Sequence, residues 1–310
     1  MIQDTLTVGS SLERLLKAGR FVVTAEINPP RSADRAVVER KAMALRGAAD
    51  AFNITDCPTA VVRMSSLAGS AILVGLGLEP ILEMTARDRN IIGAQSDLLG
   101  AAALGIKNLL CITGDSKGIG EHPEAKDFHE LNSFKLLELT RRMRDEKRLA
   151  SGYEMKKEPR FYLGVVDQFE PNPAKATSRL KRKIGLGAQF VQTQIIYDLP
   201  RFTAWMRQVH DEGLDTQVFI LAGTAPIKSS KMAEYLRDHV PGVQVPPELI
   251  ERMKEAKDEQ AEGRAICLEV IETVRHVPGV AGIHVMAPTW EEVIPEILEA
   301  AKLLPRPTPM

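Results

Sequence analysis

Short, nearly continuous apolar runs recur along the chain, and each is followed by a stretch with helical spacing. The runs are FVVTAEI (21–27), AFNIT (51–55), PILEMT (80–85), NLLCIT (108–113), FYLGVV (161–166), FVQTQII (190–196), VFILAG (218–223) and GIHVMA (282–287). Because they are apolar on both faces rather than alternating, they read as parallel strands covered on both sides. Between them, Ile91, Leu98 and Ala102, beside Ile92, Leu99 and Ala103, predict one buried helical stripe. Leu136, Leu139 and Met143 predict a second, and Val293, Ile297 and Ala301 a third. Gly19, Gly105, Gly187 and Gly213 each stand just before a strand, where a glycine ends a helix. Eight such units predict an α/β fold, a single (β/α)8 barrel spanning 1–310. It carries an N-terminal helix and an extra helix near 247–256, ahead of the last strand. A doubly wound open sheet is the alternative.

Composition narrows the classes. At 44% hydrophobic and 26% charged the chain is ordinary globular material, and 40 basic against 41 acidic residues point to neither nucleic acid nor a membrane surface. Three separated cysteines (Cys57, Cys111, Cys267) and six histidines (His122, His129, His210, His239, His276, His284) show no ligand spacing, so no metal is expected. The start MIQDTLTVGSSLERLL lacks a basic stretch followed by an apolar run, and no window is apolar enough to span a bilayer; a cytoplasmic protein is expected. The basic run 141–148 is interleaved with acids and reads as a solvated helix face. GLGLEP (75–80) precedes a strand, so it is no dinucleotide fingerprint, and no phosphate loop is present.

A barrel does its chemistry at the C-terminal ends of its strands. Those ends are polar here: Glu26 and Asn28; Thr55 and Asp56; Thr85, Arg87 and Asp88; Thr113, Gly114 and Asp115; Asp167 and Gln168; Gln194, Tyr197 and Asp198. Strand seven ends in Ala222-Gly223, small enough for a flat ligand to approach. Singly, each is a rim or loop-capping residue. Together they predict a polar ligand pocket.

In order along the chain, TAEINPPRS, FNITD, MTARDRNIIGAQSDLLG, CITGD, LKRKIGLGAQFVQTQIIYD and LAGTAPIKSSKMAEYLRDHVPGVQVPPELIERM resemble the methylenetetrahydrofolate reductase family. The Arg-Asp-Arg-Asn stretch looks like the branch found in anaerobes and in fusions to a homocysteine methyltransferase, with this chain as the reductase part. The resemblance implies a flavin-dependent barrel that reduces 5,10-methylenetetrahydrofolate to 5-methyltetrahydrofolate in one-carbon metabolism and methionine biosynthesis. It implies Glu26 as the acid that protonates nitrogen-10, and Asp115 as the acid near the flavin pyrimidine edge and the pterin. Gln194 and Tyr197 would hold substrate. Thr55, Thr85, Arg87, Asp88, Thr113, Gly114, Asp115, Gln168 and Lys183 would contact the flavin, with Lys183 reaching phosphate.

Departures from the best-known bacterial pattern are Glu83 for a histidine, Thr113 before Gly-Asp, Val166-Asp167-Gln168 for Tyr-Pro-Glu, and Ala176 for an acid. They fall mostly on the phosphate and adenosine side of FAD, which makes FMN a substitute for it. PPELIERM (246–253) offers no aromatic for a nicotinamide to stack on, leaving NAD(P)H or a partner subunit as donor and a homo- or hetero-oligomer as the assembly. The alternatives are a pterin-binding methyltransferase barrel and a flavin subunit of a larger electron-transfer complex.

Overall fold

A computed structural model describes residues 5–126, 128, 130–169, 175–240 and 242–308; His129 lies outside the described residues. In chain order the elements are α1 (Ser11–Lys17), β1 (Val22–Ile27), α2 (Arg35–Ala44), β2 (Ala51–Ile54), α3 (Ser66–Gly75), β3 (Pro80–Thr85) and α4 (Ile91–Ala103). Next come β4 (Asn108–Ile112), α5 (Ser133–Glu146), β5 (Tyr162–Asp167), α6 (Ser178–Gly185), β6 (Phe190–Ile195), α7 (Leu199–Asp211) and β7 (Phe219–Thr224). The chain finishes with α8 (Ser230–His239), α9 (Pro247–Glu255), α10 (Glu259–Val274), β8 (Val280–Val285) and α11 (Ile294–Ala300). All eight strands pair in parallel in sequential order, and β8 closes on β1 through Val22↔Gly282 to Ala25↔Val285. This is the closed (β/α)8 barrel, not the open sheet.

The predicted strands fall where the apolar runs lie, with ends shifted by one or two residues. Gly19, Gly105, Gly187 and Gly213 all have positive φ, as helix-ending glycines require. The extra helix is α9. Among the described residues, no helix is long and apolar enough to cross a membrane.

One helical face differs from expectation. On α4 the buried residues are Ala94, Leu98 and Ala101, while Ile92 and Leu99 face outward. The helix is apolar almost all round, so periodicity does not select a face; the small Ala94 and Ala101 let it sit close to the barrel wall. The α5 and α11 stripes are buried as predicted. Within the basic run, Arg142 and Arg148 are solvated, but Arg144 turns inward and donates to the Phe161 carbonyl and Gln189 Oε1.

Strand alternation sends Val23, Ala25, Ile27, Leu82, Met84, Leu163 and Val165 outward to the helices, in one large apolar cluster. The inward residues at the N-terminal end, including Val22, Ile81, Leu110, Tyr162, Phe190 and Leu221, pack on Leu12, Leu15 and Leu16 of α1. That helix plugs the floor. Its first amides, Ser11 N and Leu12 N, donate to the Glu79 carboxylate at 2.6 and 2.8 Å, supplying the acceptors that a helix N-terminus lacks.

Candidate functional site

Above the apolar floor, the barrel interior turns polar in the middle of its strands. Glu26 pairs in register with Asn53, and Asn53 with Ile81. An eight-stranded barrel staggers by about one residue per strand. Level with Glu26, the inward residue of β3 is therefore Glu83, and on β5 and β7 the positions are Val166 and Gly223. The even strands contribute Asn53, Leu110, Gln192 and His284 to the layer beneath, and Thr24 lies one layer lower.

These side chains form one hydrogen-bonded belt. Asn53 Nδ2 donates to Glu83 Oε1 at 2.9 Å and to Gln192 Oε1 at 2.7 Å. Gln192 Nε2 donates to Asn53 Oδ1 at 2.9 Å and to Thr24 Oγ1 at 3.1 Å. Thr24 Oγ1 lies 2.9 Å from His284 Nδ1. Burial pushes the His284 pKa down to about 3, so the ring is neutral, and the Thr24 hydroxyl also donates to the Ile283 carbonyl at 3.4 Å. Strand-end reasoning passed over this belt. Its signal was a polar residue in mid-run in five of the eight strands: Thr24, Asn53, Glu83, Gln192 and His284.

The mouth lies above this belt. Glu26 is partly open to it, and Glu26 Oε1 accepts from Asn28 Nδ2 at 3.1 Å. The Thr55 hydroxyl donates to Asn28 Oδ1 at 2.8 Å, which fixes the amide so that its NH2 faces the acid. Burial raises the Glu26 pKa to about 7; the Asn28 bond lowers it, the Glu291 charge raises it, and Lys41 lowers it. Lys41 is itself committed, donating to Glu291 at 2.5 Å and to the Asn28 carbonyl at 3.2 Å. Glu83 is pushed further, to about 8, by burial first and then by the Glu26 charge.

Asp115 follows β4 across Gly114, whose φ of +91° and close approach to Arg87 and Thr85 exclude a side chain. Its Oδ2 accepts from Thr59 N at 2.6 Å, and its charge reaches Glu83. Glu26, Glu83 and Asp115 thus face one mouth. Gln194 reaches the rim through a bulge: β6 and β7 pair as Gln192↔Leu221 and then Ile195↔Gly223, giving β6 an extra residue. Gly242 packs between Gln168 and Gln194, where a Cβ would stand 2.2 Å from Gln168 Oε1. Val166 is 36% exposed although it lies inside the strand layer, so the mouth has an apolar floor open to a flat ligand.

Other strand-end residues are committed within the protein. Asp56 accepts from Thr85 N, Thr85 Oγ1 and Arg89 Nη1 at 2.9, 3.0 and 2.6 Å. Arg87 chelates Asp88 at 2.8 and 2.6 Å and donates to the Asp115 and Cys57 carbonyls. Arg87 thereby holds the Asp88 carboxyl below its usual range. Thr113 is exposed and bonds Ser133. Two placements depart from expectation. Lys183 is sealed under β5, donating to the Val166 carbonyl and to Asp167 at 3.1 Å, with its pKa lowered by burial. The ammonium is drawn there by the buried Asp167 carboxylate instead of standing at the mouth. Tyr197 is buried in a satellite core with Ile227 and Ile250, and its hydroxyl donates to the Ala225 carbonyl. It lines a cavity of about 690 Å³ with Asp198, Arg237 and the 243–249 stretch, beside the mouth.

Among solved structures, a protein from Clostridium thermocellum described as binding two copies of 5-methyl-5,6,7,8-tetrahydrofolic acid superposes with a TM-score of 0.65 at 14% identity. The match covers 95% of this chain and 99% of that one, and it shows the fold. In sequence, methylenetetrahydrofolate reductase 2 of Saccharomyces cerevisiae is 26% identical over 244 residues, 74% of this chain and 38% of the yeast protein. A probable methylenetetrahydrofolate reductase (NADPH) of Caenorhabditis elegans is 23% identical over 251 residues, 78% of this chain and 35% of the worm protein. The chain thus matches little more than a third of these relatives' length. The methylenetetrahydrofolate reductase family model matches residues 11–302, the whole of the barrel, so the chain belongs to that family.

Proposed function

We propose that the chain reduces 5,10-methylenetetrahydrofolate to 5-methyltetrahydrofolate with a bound flavin, and that Glu26 is the proton donor. One observation carries the reading. A carboxyl at the mouth of a barrel of this family has its pKa raised to about 7 by burial, so its acid form persists near neutral pH. The methylene bridge must break its bond to nitrogen-10 before reduction, and that nitrogen needs a proton as the bond breaks. Asn28, fixed by Thr55, aims the Glu26 carboxyl. Asp115 and Gln194 supply the acceptor charge and the amide that a positively charged, ring-opened pterin calls for.

In this reading the flavin ring lies over the exposed Val166, with Asp115 and Gln168 at its edge. A bound flavin would supply the two electrons. On the phosphate side Arg87, Arg89 and Lys183 are already paired with Asp88, Asp56 and Asp167, which favours the shorter FMN or a differently held FAD. On the donor side, the segment opening α9 lends Pro246, Pro247, Glu248 and Leu249 to the cavity beside the mouth, none of them aromatic, and the aromatic in its lining, Tyr197, is buried with its hydroxyl on the Ala225 carbonyl. That favours electron delivery by a partner protein over NAD(P)H.

The test is purification of the chain, spectroscopy of its flavin, and rapid mixing with 5-methyltetrahydrofolate and with NADH. We expect the folate to reduce the flavin rapidly and Glu26→Gln to slow that step by about 10² to 10⁴-fold while retaining the flavin. Reduction of the flavin by dithionite should be unchanged in the variant. A colourless protein that cannot be reconstituted would defeat the reading. Equal slowing of both reductions would make Glu26 structural, and fast bleaching by NADH would remove the partner protein.

A further inference from the structure

Glu83 is a buried carboxyl for which the chemistry above has no use. It is 9% exposed, and its hydrogen bond comes from one neutral donor, Asn53 Nδ2. Both NH groups of Asn53 are committed, one to Glu83 and one to Gln192, so that amide has no second hydrogen to offer. Among the described residues no Lys or Arg pairs with Glu83. An ionised carboxylate in that position would be a buried charge without a cation. Glu26, level with it on β1, is in a similar position: Asn28 donates to it, and Lys41, whose charge reaches it, is bound to Glu291 and the Asn28 carbonyl.

We infer that Glu83 and Glu26 form a carboxyl pair on one inward layer of the barrel, which keeps a proton after either acid has released its own. The acidic groups around the pair push in one direction, upward, against the hydrogen bonds from Asn28 and Asn53 and the Lys41 charge. Facing Glu83 are Glu26 from β1, Asp56 from the end of β2 and Asp115 from beyond β4, all acidic. From β5 comes the uncharged Val166, and from β6 and β8 come Gln192 and the neutral His284, reached through Thr24. Facing Glu26 are Glu291 and the already paired Lys41. The direction of the shift at each acid, upward by burial with Glu83 raised further by the Glu26 charge, agrees with this geometry. In the layer, Glu83 is a positioning residue: its retained proton spares the mouth a second negative charge when Glu26 has given up its proton. That consequence rests on the function proposed above; the pair itself does not.

The test is a carboxyl ¹³C NMR titration of the full chain labelled at glutamate Cδ, without flavin or folate, for the wild type, Glu26→Gln and Glu83→Gln. Two glutamates of the wild type should titrate far above the ordinary range, in two separated steps. In Glu26→Gln the Glu83 midpoint should fall by about one unit or more, because the charge that raised it is gone. In Glu83→Gln, where the amide oxygen still accepts from Asn53, the upper step should vanish and one raised step should remain. A Glu83 midpoint that does not move in Glu26→Gln, an ordinary Glu83 midpoint in the wild type, or two raised steps surviving in Glu83→Gln would each overturn the inference. Failure of the chain to turn over folate would count against the proposed function and leave this titration untouched.

Discussion

Replacing Glu83 with Gln should change how stability depends on pH, and the sign follows from the direction of its shift. Burial raises the Glu83 pKa from the ordinary 4.5 to about 8, so between those values the folded chain holds a proton that the unfolded chain has released. Its contribution is complete below the unfolded value and is lost as pH rises through the folded one. Each proton so retained makes stability fall by about 1.4 kcal/mol per pH unit. His284 works in the other direction: its pKa is lowered from 6.5 to about 3, so its contribution is lost as pH falls below 6.5 and is flat above it. Between about pH 6.5 and 8 His284 is silent, and the raised His210 is common to both proteins, so their difference isolates Glu83, which accounts for about 2 kcal/mol. Urea unfolding followed by tryptophan fluorescence at several pH values should show the wild type weakening across this window and Glu83→Gln weakening less, by that amount. Parallel curves for the two proteins would refute the reasoning, since they would mean that Glu83 carries no proton in the folded state beyond what the unfolded chain carries.

Two further outcomes test the packing along β5. Lys183→Met should destabilise the fold, by up to about 3 to 5 kcal/mol, because it takes the buried ammonium from the Asp167 carboxylate and leaves it the half-exposed Arg179 at 3.9 Å, and Asp167→Asn in the same chain should restore much of the loss; a stable Lys183→Met protein with weakened flavin binding would return Lys183 to a ligand role. Gly164→Ala would place a Cβ 2.1 Å from the Phe190 ring, so thermal unfolding should show a loss of about 1 to 3 kcal/mol, relieved when Phe190 is also shortened to Leu.

The fold and the face of the site were legible in local sequence for a physical reason. A strand covered on both sides must be apolar throughout, and a helix returning to the next strand needs a residue at positive φ; both demands act on single positions and leave marks such as VFILAG and Gly187. Strand ends are equally local, so Glu26, Asp115 and Gln194 could be assigned to one mouth once eight strands were counted. Where helix α4 is apolar all round, no local mark selects its buried face, and Ile92 lies outside while Ala94 lies inside. The destination of a charged side chain is likewise a tertiary matter: Lys183 and Tyr197 sit within reach of strand ends, yet buried partners on β5 and in the satellite core hold them away from the mouth. Glu83 shows the same division most sharply. Its presence in PILEMT is a sequence fact, but its proton depends on Asn53 being its one donor among the described residues and on Glu26 being level with it, two strands away. Only the closure and stagger of the barrel bring those residues together.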